Sequence, residues 1–310
     1  MLQPMNVRHI LAALALTTSL ALAAQPRVVQ LWPEGVPGLK PNAAEEKIVE
    51  GRITGIHQPS LLVFPGAQEK STGTSIILSS GGGYVRIAVN PNGDSTVKSL
   101  NELGITVFVL KYRLADYGHP APLQDILRAV RTVRKQAGEF GISPERIGVM
   151  GTSAGGHLSG CAATLWDHTD GKTGAAMDTV SARPNFAILI YPVVSLSADF
   201  THRGSREALL GKSPAPGLTE TLSLEKQVRK DSPPFFIAAT MADTVVPVMN
   251  SLSLYQALSK SGVPSEIHIY AQGDHSNSRD PKFGPTATWP LRLEEWLRFN
   301  GWLETPQTSR

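Results

Sequence analysis

The sequence predicts an α/β fold in which a mostly parallel central sheet carries helices on both faces. Six short apolar runs have the composition of strands that are buried on both sides of such a sheet. Helical patterns lie between most of these runs, and this alternation is typical of parallel strands joined by crossover helices. The 310 residues, 41% of them hydrophobic and 18% charged, suit one globular domain.

The apolar runs and their spacing give the bounds of the predicted elements. The predicted strands are residues 74–80, 105–112, 146–151, 186–192, 235–240 and 266–270. The predicted helices are residues 123–137, 154–165, 249–261 and 288–302. In the first of these helices, apolar residues recur at three- and four-residue spacings. Its basic residues are expected to form a solvated face: Arg128, Arg131, Arg134 and Lys135.

Two segments break the alternation of strands and helices. Residues 195–234 are rich in Gly, Pro, Ser and charged residues, which predicts a small, polar, cap-like insertion of helical turns over the edge of the sheet. Near the start of the chain, Pro33, Pro37 and Pro41 predict an extended arm on the surface of the domain.

Residues 1–23 have the pattern of a signal peptide. A short basic start precedes an apolar stretch, and Ala21 and Ala23 stand at the spacing that signal peptidase recognises. An uncleaved anchor is disfavoured because the stretch is shorter than the roughly 20 residues that cross a bilayer. We therefore predict cleavage after Ala23 or Ala24 and a single domain at 24–310. The protein is then exported, periplasmic or secreted, with no membrane attachment.

Charge and cysteine content exclude two classes of protein. A formal net charge of +3, spread along the chain, is too small to indicate a nucleic-acid-binding surface. Cys161 is the single cysteine, so the chain is not a disulfide-stabilised scaffold. The small apolar neighbours of Cys161 predict that it is buried in a helix.

The segment "GVMGTSAGGHL" indicates a catalytic serine. It contains the pattern G-x-S-x-G, formed by Gly151, Ser153 and Gly155, between a predicted strand and a predicted helix. At such a junction the turn is tight enough to require glycines around an exposed serine nucleophile. Ser153 is therefore the predicted nucleophile, and His157, one helical turn further on, is expected to be structural.

A serine nucleophile needs a base and an acid that follow it in the order serine, acid, histidine in this kind of fold. His275 comes after the last predicted strand and is the predicted base. Asp243 follows the preceding strand and is the predicted acid. Asp274 is the nearest rival, but adjacent side chains on an extended loop diverge. Asp231 precedes its strand and would lie at the opposite end of the sheet.

The segment "SSGGGYV" predicts backbone hydrogen-bond donors for the oxyanion that forms when a serine attacks a carbonyl group. The backbone N–H groups of Gly82 and Gly83, together with that of Ala154 after the nucleophile, are the candidates. Tyr84, which follows the glycines, is a candidate substrate-binding residue. A P-loop is excluded because no Gly-Lys-Ser/Thr follows, and the pattern of a dinucleotide site is also missing.

The motifs together resemble those of the α/β-hydrolases, and specifically of bacterial secreted esterases related to acetylxylan and feruloyl esterases, near the hormone-sensitive-lipase branch. The resemblance rests on "LWPEGVPG", "SGGGY", "FVLKYRL", "HPAPLQD", "GTSAGGHL", "ILIYPV", "ADTVVPV" and "GDHS". It implies a Ser-His-Asp esterase without cofactor or metal, acting on small-molecule or oligosaccharide esters, often acetyl esters of plant polysaccharide. Ser80 and Asp274 depart from the pattern, which carries histidine before the glycines and glycine before the catalytic histidine.

Other functions stay open at this point. A carboxylesterase for small acyl groups without sugar preference has the same motifs. A serine peptidase and a non-catalytic binding protein are weaker alternatives, because the stretch before Ser80 is too short for a propeller domain and all three members of the triad are present. No oligomeric state is predicted.

Overall fold

A computed structural model describes residues 26–43, 45–88, 95–275 and 280–304 of the chain. The predicted signal peptide, residues 1–23, lies outside the described residues and stays a prediction. None of the described helices is both long enough and apolar enough to cross a membrane.

The main sheet has eight strands and is mostly parallel, as predicted. In sheet order its strands are β1 (Arg27–Gln30), β4 (Ser60–Phe64), β7 (Thr106–Lys111), β5 (Ser75–Ser79), β8 (Ile147–Thr152), β9 (Phe186–Ile190), β10 (Phe235–Thr240) and β11 (Ser265–Tyr270). The six strands from β7 to β11 in this order pair in parallel and correspond to the six predicted strands. Strands β1 and β4 add an antiparallel edge that the sequence analysis did not predict.

Helices cover the sheet and connect its parallel strands. The described α-helices are α1 (Ser95–Glu102), α2 (Ala121–Lys135), α3 (Ser153–Thr164), α4 (Arg203–Leu210), α5 (Leu218–Thr221), α6 (Met249–Lys260) and α7 (Trp289–Phe299). Helices α2, α3, α6 and α7 match the four predicted helices to within a few residues. Helix α1 was not predicted.

A second, smaller sheet is separate from the main one. Its three antiparallel strands are β2 (Lys47–Val49), β3 (Arg52–Thr54) and β6 (Ile87–Ala88), in the order β2-β3-β6. Strands β3 and β6 bury Ile53 and Ile87 toward the core. Segments of two or three residues carry too little alternation to be recognised as strands from sequence.

The expected solvated face of α2 is wrong for two of its arginines, since Arg128 and Arg131 are 3% and 2% exposed. The N-terminal arm covers Arg128, whose Nε donates to the carbonyl of Leu31 at 2.8 Å. Arg131 donates to the carbonyl of Gly171 at 3.1 Å, in the segment after α3. Both guanidinium groups can be buried because they donate to backbone carbonyls and because each also pairs with an acidic side chain.

The N-terminal arm is also more deeply anchored than an extended surface arm. Trp32 is buried, and its indole Nε1 donates to Asp125 of α2 at 2.9 Å. The same carboxylate pairs with Arg113 at 2.8 Å, and both side chains of this pair are at most 1% exposed. Removing one member of a buried ion pair typically costs about 3–5 kcal/mol, because the other charge is left uncompensated. The pair therefore joins the arm, the end of β7 and α2.

The insertion at residues 195–234 contains helical turns, and part of its inner side is apolar. Leu209, Leu222 and Leu224 are buried, and Leu224 lies against Gly160 of α3. The insertion therefore packs onto the helix that begins at Ser153.

Candidate active site

The strand-to-helix turn predicted around Ser153 is present between β8 and α3. Ser153 is the first residue of α3 and has a positive φ of 54°, a conformation that non-glycine residues rarely adopt. A Cβ on Gly151 would lie 2.1 Å from the carbonyl oxygen of Gly155, so no larger residue fits at Gly151. The glycines of the motif thus allow the backbone approach that holds the strained serine.

The structure brings Ser153, His275 and Asp243 together in one hydrogen-bonded chain. Nε2 of His275 lies 2.8 Å from Oγ of Ser153, and Nδ1 of His275 lies 2.7 Å from Oδ2 of Asp243. All three residues follow the carboxyl ends of parallel strands of the same sheet, β8, β10 and β11, where α/β sheets place their sites. The alternatives Asp274 and Asp231 are exposed, and Asp231 pairs with Arg229 instead.

Asp243 is held as a carboxylate by its surroundings. Burial raises the pKa of Asp243, but the hydrogen bonds from His275 and from the backbone N–H groups of Val246 and Val245 outweigh this effect. The net result is a pKa below its ordinary value. The two backbone donors bind Oδ1 at 2.8 and 2.9 Å, which leaves Oδ2 to accept from the imidazole. Asp243 can therefore fix the tautomer in which Nδ1 carries the proton and Nε2 can accept from Ser153.

The triad opens into a cavity of about 710 Å³. Ser153, His275, Gly82 and Gly83 all line it, so the structure places the predicted glycine loop beside the nucleophile. A Cβ on Gly81 would lie 2.9 Å from Cβ of Ser153, which shows how closely the loop passes.

Two bonds fix the glycine loop beside the serine. Gly81 N–H donates to Oγ1 of Thr152 at 3.1 Å, and the phenol of Tyr112 donates to the carbonyl of Ser80 at 2.8 Å. Gly82 and Gly83 have positive φ values of 142° and 66°. Ala154, at the start of α3, is completely buried and presents one of the N–H groups that a helix leaves without an internal partner.

Tyr84 does not contact the cavity as the sequence analysis expected. Its side chain is 1% exposed and points into the core, where its hydroxyl lies 2.7 Å from Nδ1 of His157. The positive φ of 63° at Tyr84 turns the chain inward after the glycines. Tyr84 is therefore placed as a support for the loop, and substrate contact by its side chain is a wrong expectation.

His157 is fully buried and links three segments of the chain. Its Nε2 donates to the carbonyl of Leu222 in the insertion at 2.8 Å, which leaves Nδ1 to accept from the hydroxyl of Tyr84. Burial lowers the pKa of His157 to about 4, although the bond to Leu222 opposes this shift. Cys161 lies one turn along α3 and is buried beside this imidazole, and burial raises the pKa of its thiol.

Sequence reasoning missed two aromatic residues of the cavity. Tyr191 follows β9 and its ring centroid lies 4.8 Å from that of His275. Its position at the carboxyl end of a predicted strand was a usable signal. His202 caps α4 with Nδ1 accepting from Ser205 N–H, and burial, together with the nearby His275, lowers its pKa. No motif in the insertion marks His202.

A metal site is not formed by the described residues. Among residues 26–43, 45–88, 95–275 and 280–304, histidine, cysteine and acidic side chains do not gather in groups of three or more that could hold an ion.

The family model described as BD-FAE matches residues 62–258. This chain belongs to the BD-FAE family. The matched segment of this BD-FAE protein runs from β4 into α6, and it contains the glycine loop, Ser153 and Asp243.

Two curated relatives of this BD-FAE protein match over about the same length. An acetylxylan esterase of Xylanibacter ruminicola is 35% identical over 211 residues, which are 67% of this chain and 42% of that protein. Endo-1,4-beta-xylanase B of Butyrivibrio fibrisolvens is 35% identical over 224 residues, which are 70% of this chain and 35% of that protein. The chain therefore spans less than half the length of these two relatives.

A solved structure resembles this BD-FAE protein over almost its whole length. It is an acetyl ester-xyloside bifunctional hydrolase from Caldicellulosiruptor lactoaceticus, with a TM-score of 0.79 and 36% identity. The match covers 91% of this chain and 99% of that one. Together with the sheet order, it confirms the predicted α/β-hydrolase fold.

The buried His157 predicts a specific dependence of stability on pH. Its folded-state pKa of about 4 is below the ordinary value of 6.5, so the unfolded chain takes up a proton between these pH values and the folded chain does not. Stability is therefore lost as pH falls, by about 2 kcal/mol for this group between pH 7 and pH 5. In urea unfolding, the free energy of unfolding of His157→Gln should therefore fall by about 2 kcal/mol less between pH 7 and pH 5 than that of the wild type. If the variant and the wild type lose the same free energy of unfolding between pH 7 and pH 5, the lowered pKa of His157 is contradicted.

Proposed function

We propose that this chain is a serine esterase that hydrolyses acyl esters, specifically acetyl esters on carbohydrate derived from plant polysaccharide. The observation that carries the proposal is the hydrogen-bonded chain Ser153–His275–Asp243 with the serine at a cavity of about 710 Å³. Nucleophile, base and orienting acid in this geometry are the requirements of acyl transfer to serine.

The proposed reaction has two steps. Nε2 of His275 accepts the proton of Ser153 as Oγ attacks the ester carbonyl, and the protonated imidazole then gives that proton to the leaving alcohol. Water, activated by the same nitrogen, next attacks the acyl-enzyme and releases the acid. Asp243 stays ionised and stabilises the imidazolium in both steps, in keeping with its lowered pKa.

Backbone N–H groups are the proposed oxyanion donors. Gly82 and Gly83 line the cavity together with Ser153, and Ala154 follows Ser153 as the second residue of α3. Within the described part of the chain, the N–H groups of Gly82 and Gly83 donate to no backbone acceptor. Such donors are held in place before the reaction, so they stabilise the developing charge without reorganisation.

The proposed carbohydrate substrate rests on the relatives. One is named an acetylxylan esterase, one a xylanase, and the resembling structure an acetyl ester-xyloside hydrolase. The cavity has room for such a substrate, because its volume falls in the range of about 300–1,000 Å³ that is usual for ligand sites. A sugar ring and a short acyl group fit such a volume.

Ser153→Ala tests the nucleophile. We expect hydrolysis of p-nitrophenyl acetate to fall by roughly 10³-fold or more, since loss of the attacking oxygen removes the covalent route. Ser159→Ala is the matched control, because Ser159 is a buried serine of the same helix, outside the triad. It should keep activity and covalent labelling by a fluorophosphonate. Comparable turnover by the two variants would refute the proposed mechanism.

A substrate comparison tests the acyl and sugar preference. p-Nitrophenyl esters from acetyl to octanoyl should give the highest kcat/KM for acetyl, and acetylated xylan should release acetate. A preference for longer acyl chains, or no acetate from xylan, would favour a general carboxylesterase instead.

Export is part of the same proposal, because a polymeric substrate lies outside the cytoplasm. The support is the signal-peptide pattern of residues 1–23. Mass spectrometry of the protein recovered from periplasm or medium should find a chain that begins at Ala24 or Gln25. A full-length chain confined to the cytoplasm would contradict export.

A further inference from the structure

The smaller sheet presents one of its faces to the catalytic cavity. Arg52 pairs with Ala88 and Ile53 with Ile87 across β3 and β6. Because side chains alternate between the faces of a strand, Arg52 and Ala88 share one face and the two isoleucines share the other. The isoleucines are buried in the core, whereas Arg52 and Ala88 line the cavity of Ser153.

Arg86 connects this part of the cavity to the glycine loop. It stands two residues before Ala88, and it also lines the cavity. Its carbonyl and the first part of its side chain lie against Gly82, where an added Cβ would be 2.1 Å from the carbonyl oxygen and 3.1 Å from Cγ. The guanidinium of Arg86 is therefore carried by backbone that packs directly on a proposed oxyanion residue.

Lys47 adds a third cation to this face. It pairs with Thr54 of β3, which lies on the same face as Arg52. We call Arg52 and Arg86, which line the cavity, the cationic wall, and Lys47 lies beside it on the same face of the sheet. All three are exposed.

The charge of the cationic wall is not neutralised within the described residues. Over residues 26–43, 45–88, 95–275 and 280–304, none of its members takes part in an ion pair. By contrast, Asp280, an acidic residue of the cavity lining, pairs with Lys282 at 3.0 Å. Arg52 and Arg86 thus both line the substrate space, and among the described residues neither has an ion-pair partner.

We infer that the cationic wall is a subsite for a carboxylate carried by the sugar part of the substrate, that is, for a uronic acid residue near the ester. This inference rests on the proposed function. An acetyl group is neutral, so a charge recognised beside it must belong to the alcohol that the reaction releases. Arginine matches a carboxylate because its planar fork donates two parallel hydrogen bonds and keeps its charge at all relevant pH values.

The subsite is tested first by binding, with catalysis removed. Isothermal titration of the Ser153→Ala protein with xylotetraose, and with xylotetraose that carries one glucuronic acid branch, compares a neutral and an acidic ligand. We expect the acidic ligand to bind about tenfold more tightly at low salt, an advantage that shrinks as NaCl screens the charges. Adding Arg52→Gln and Arg86→Gln should bring the ratio of the two dissociation constants close to one.

Arg27→Gln is the matched control. It removes the same charge from β1, where Arg27 pairs with Glu139, and it should keep the tenfold ratio. A wild-type ratio in the double variant, or equal binding of the two ligands before any arginine is changed, would overturn the inference.

Failure of the proposed function gives a different result. If the wild-type protein releases no acetate from acetylated neutral or acidic oligosaccharides, the esterase proposal is refuted. The ratio of the two dissociation constants still tests the cationic wall in that case. If acetate is released with equal kcat/KM from acetylated neutral and acidic oligosaccharides, the esterase proposal stands and the subsite is refuted.

Discussion

The approach of backbone segments at the junction of β8 and α3 is the constraint on which the site depends. A Cβ on Gly155 would lie 2.1 Å from the carbonyl oxygen of Ser79, at the end of β5. The chain continues from Ser79 into the glycine loop. One contact thus sets the position of the nucleophile helix and of the loop that faces it, while Ser153 is held at positive φ. Strain of this kind persists only where the surroundings over-determine the backbone.

The other two members of the triad depend on the register of parallel strands. Strands β10 and β11 pair along their full length, from Phe235 with Ser265 to Thr240 with Tyr270. Just beyond them, Oγ1 of Thr240 donates to the carbonyl of Gly273 at 2.7 Å, two residues before His275. Asp243 and His275 leave the sheet from this tied edge, so their side chains meet although 32 residues separate them.

The sequence was sufficient for the parts of the molecule that follow strong local patterns. Continuous apolar runs identified the six parallel strands, and a motif with its chain order identified Ser153, Asp243 and His275 as candidates that the structure brings together. The burial of Arg128 and Arg131 was missed because the segments that cover them lie far away in the chain. The side chain of Tyr84 was wrongly expected in the cavity. It points into the core because the backbone has a positive φ at this residue, which cannot be predicted from the residue type. Strands β2, β3 and β6 are too short to show a period.

His157 also has a meaning for the insertion at residues 195–234. The Nε2–H of the histidine donates to the Leu222 carbonyl, so a hydrogen bond joins the inner edge of the insertion to the catalytic helix. A chain that shortened this edge would leave a polar group stranded inside the protein, at a cost of about 1–3 kcal/mol. Residues 211–217 are mostly exposed, so changes there would not bury an unpaired polar group. Residues 211–217 can therefore be substituted or replaced by a grafted loop, whereas the segment around Leu222 that contacts α3 cannot.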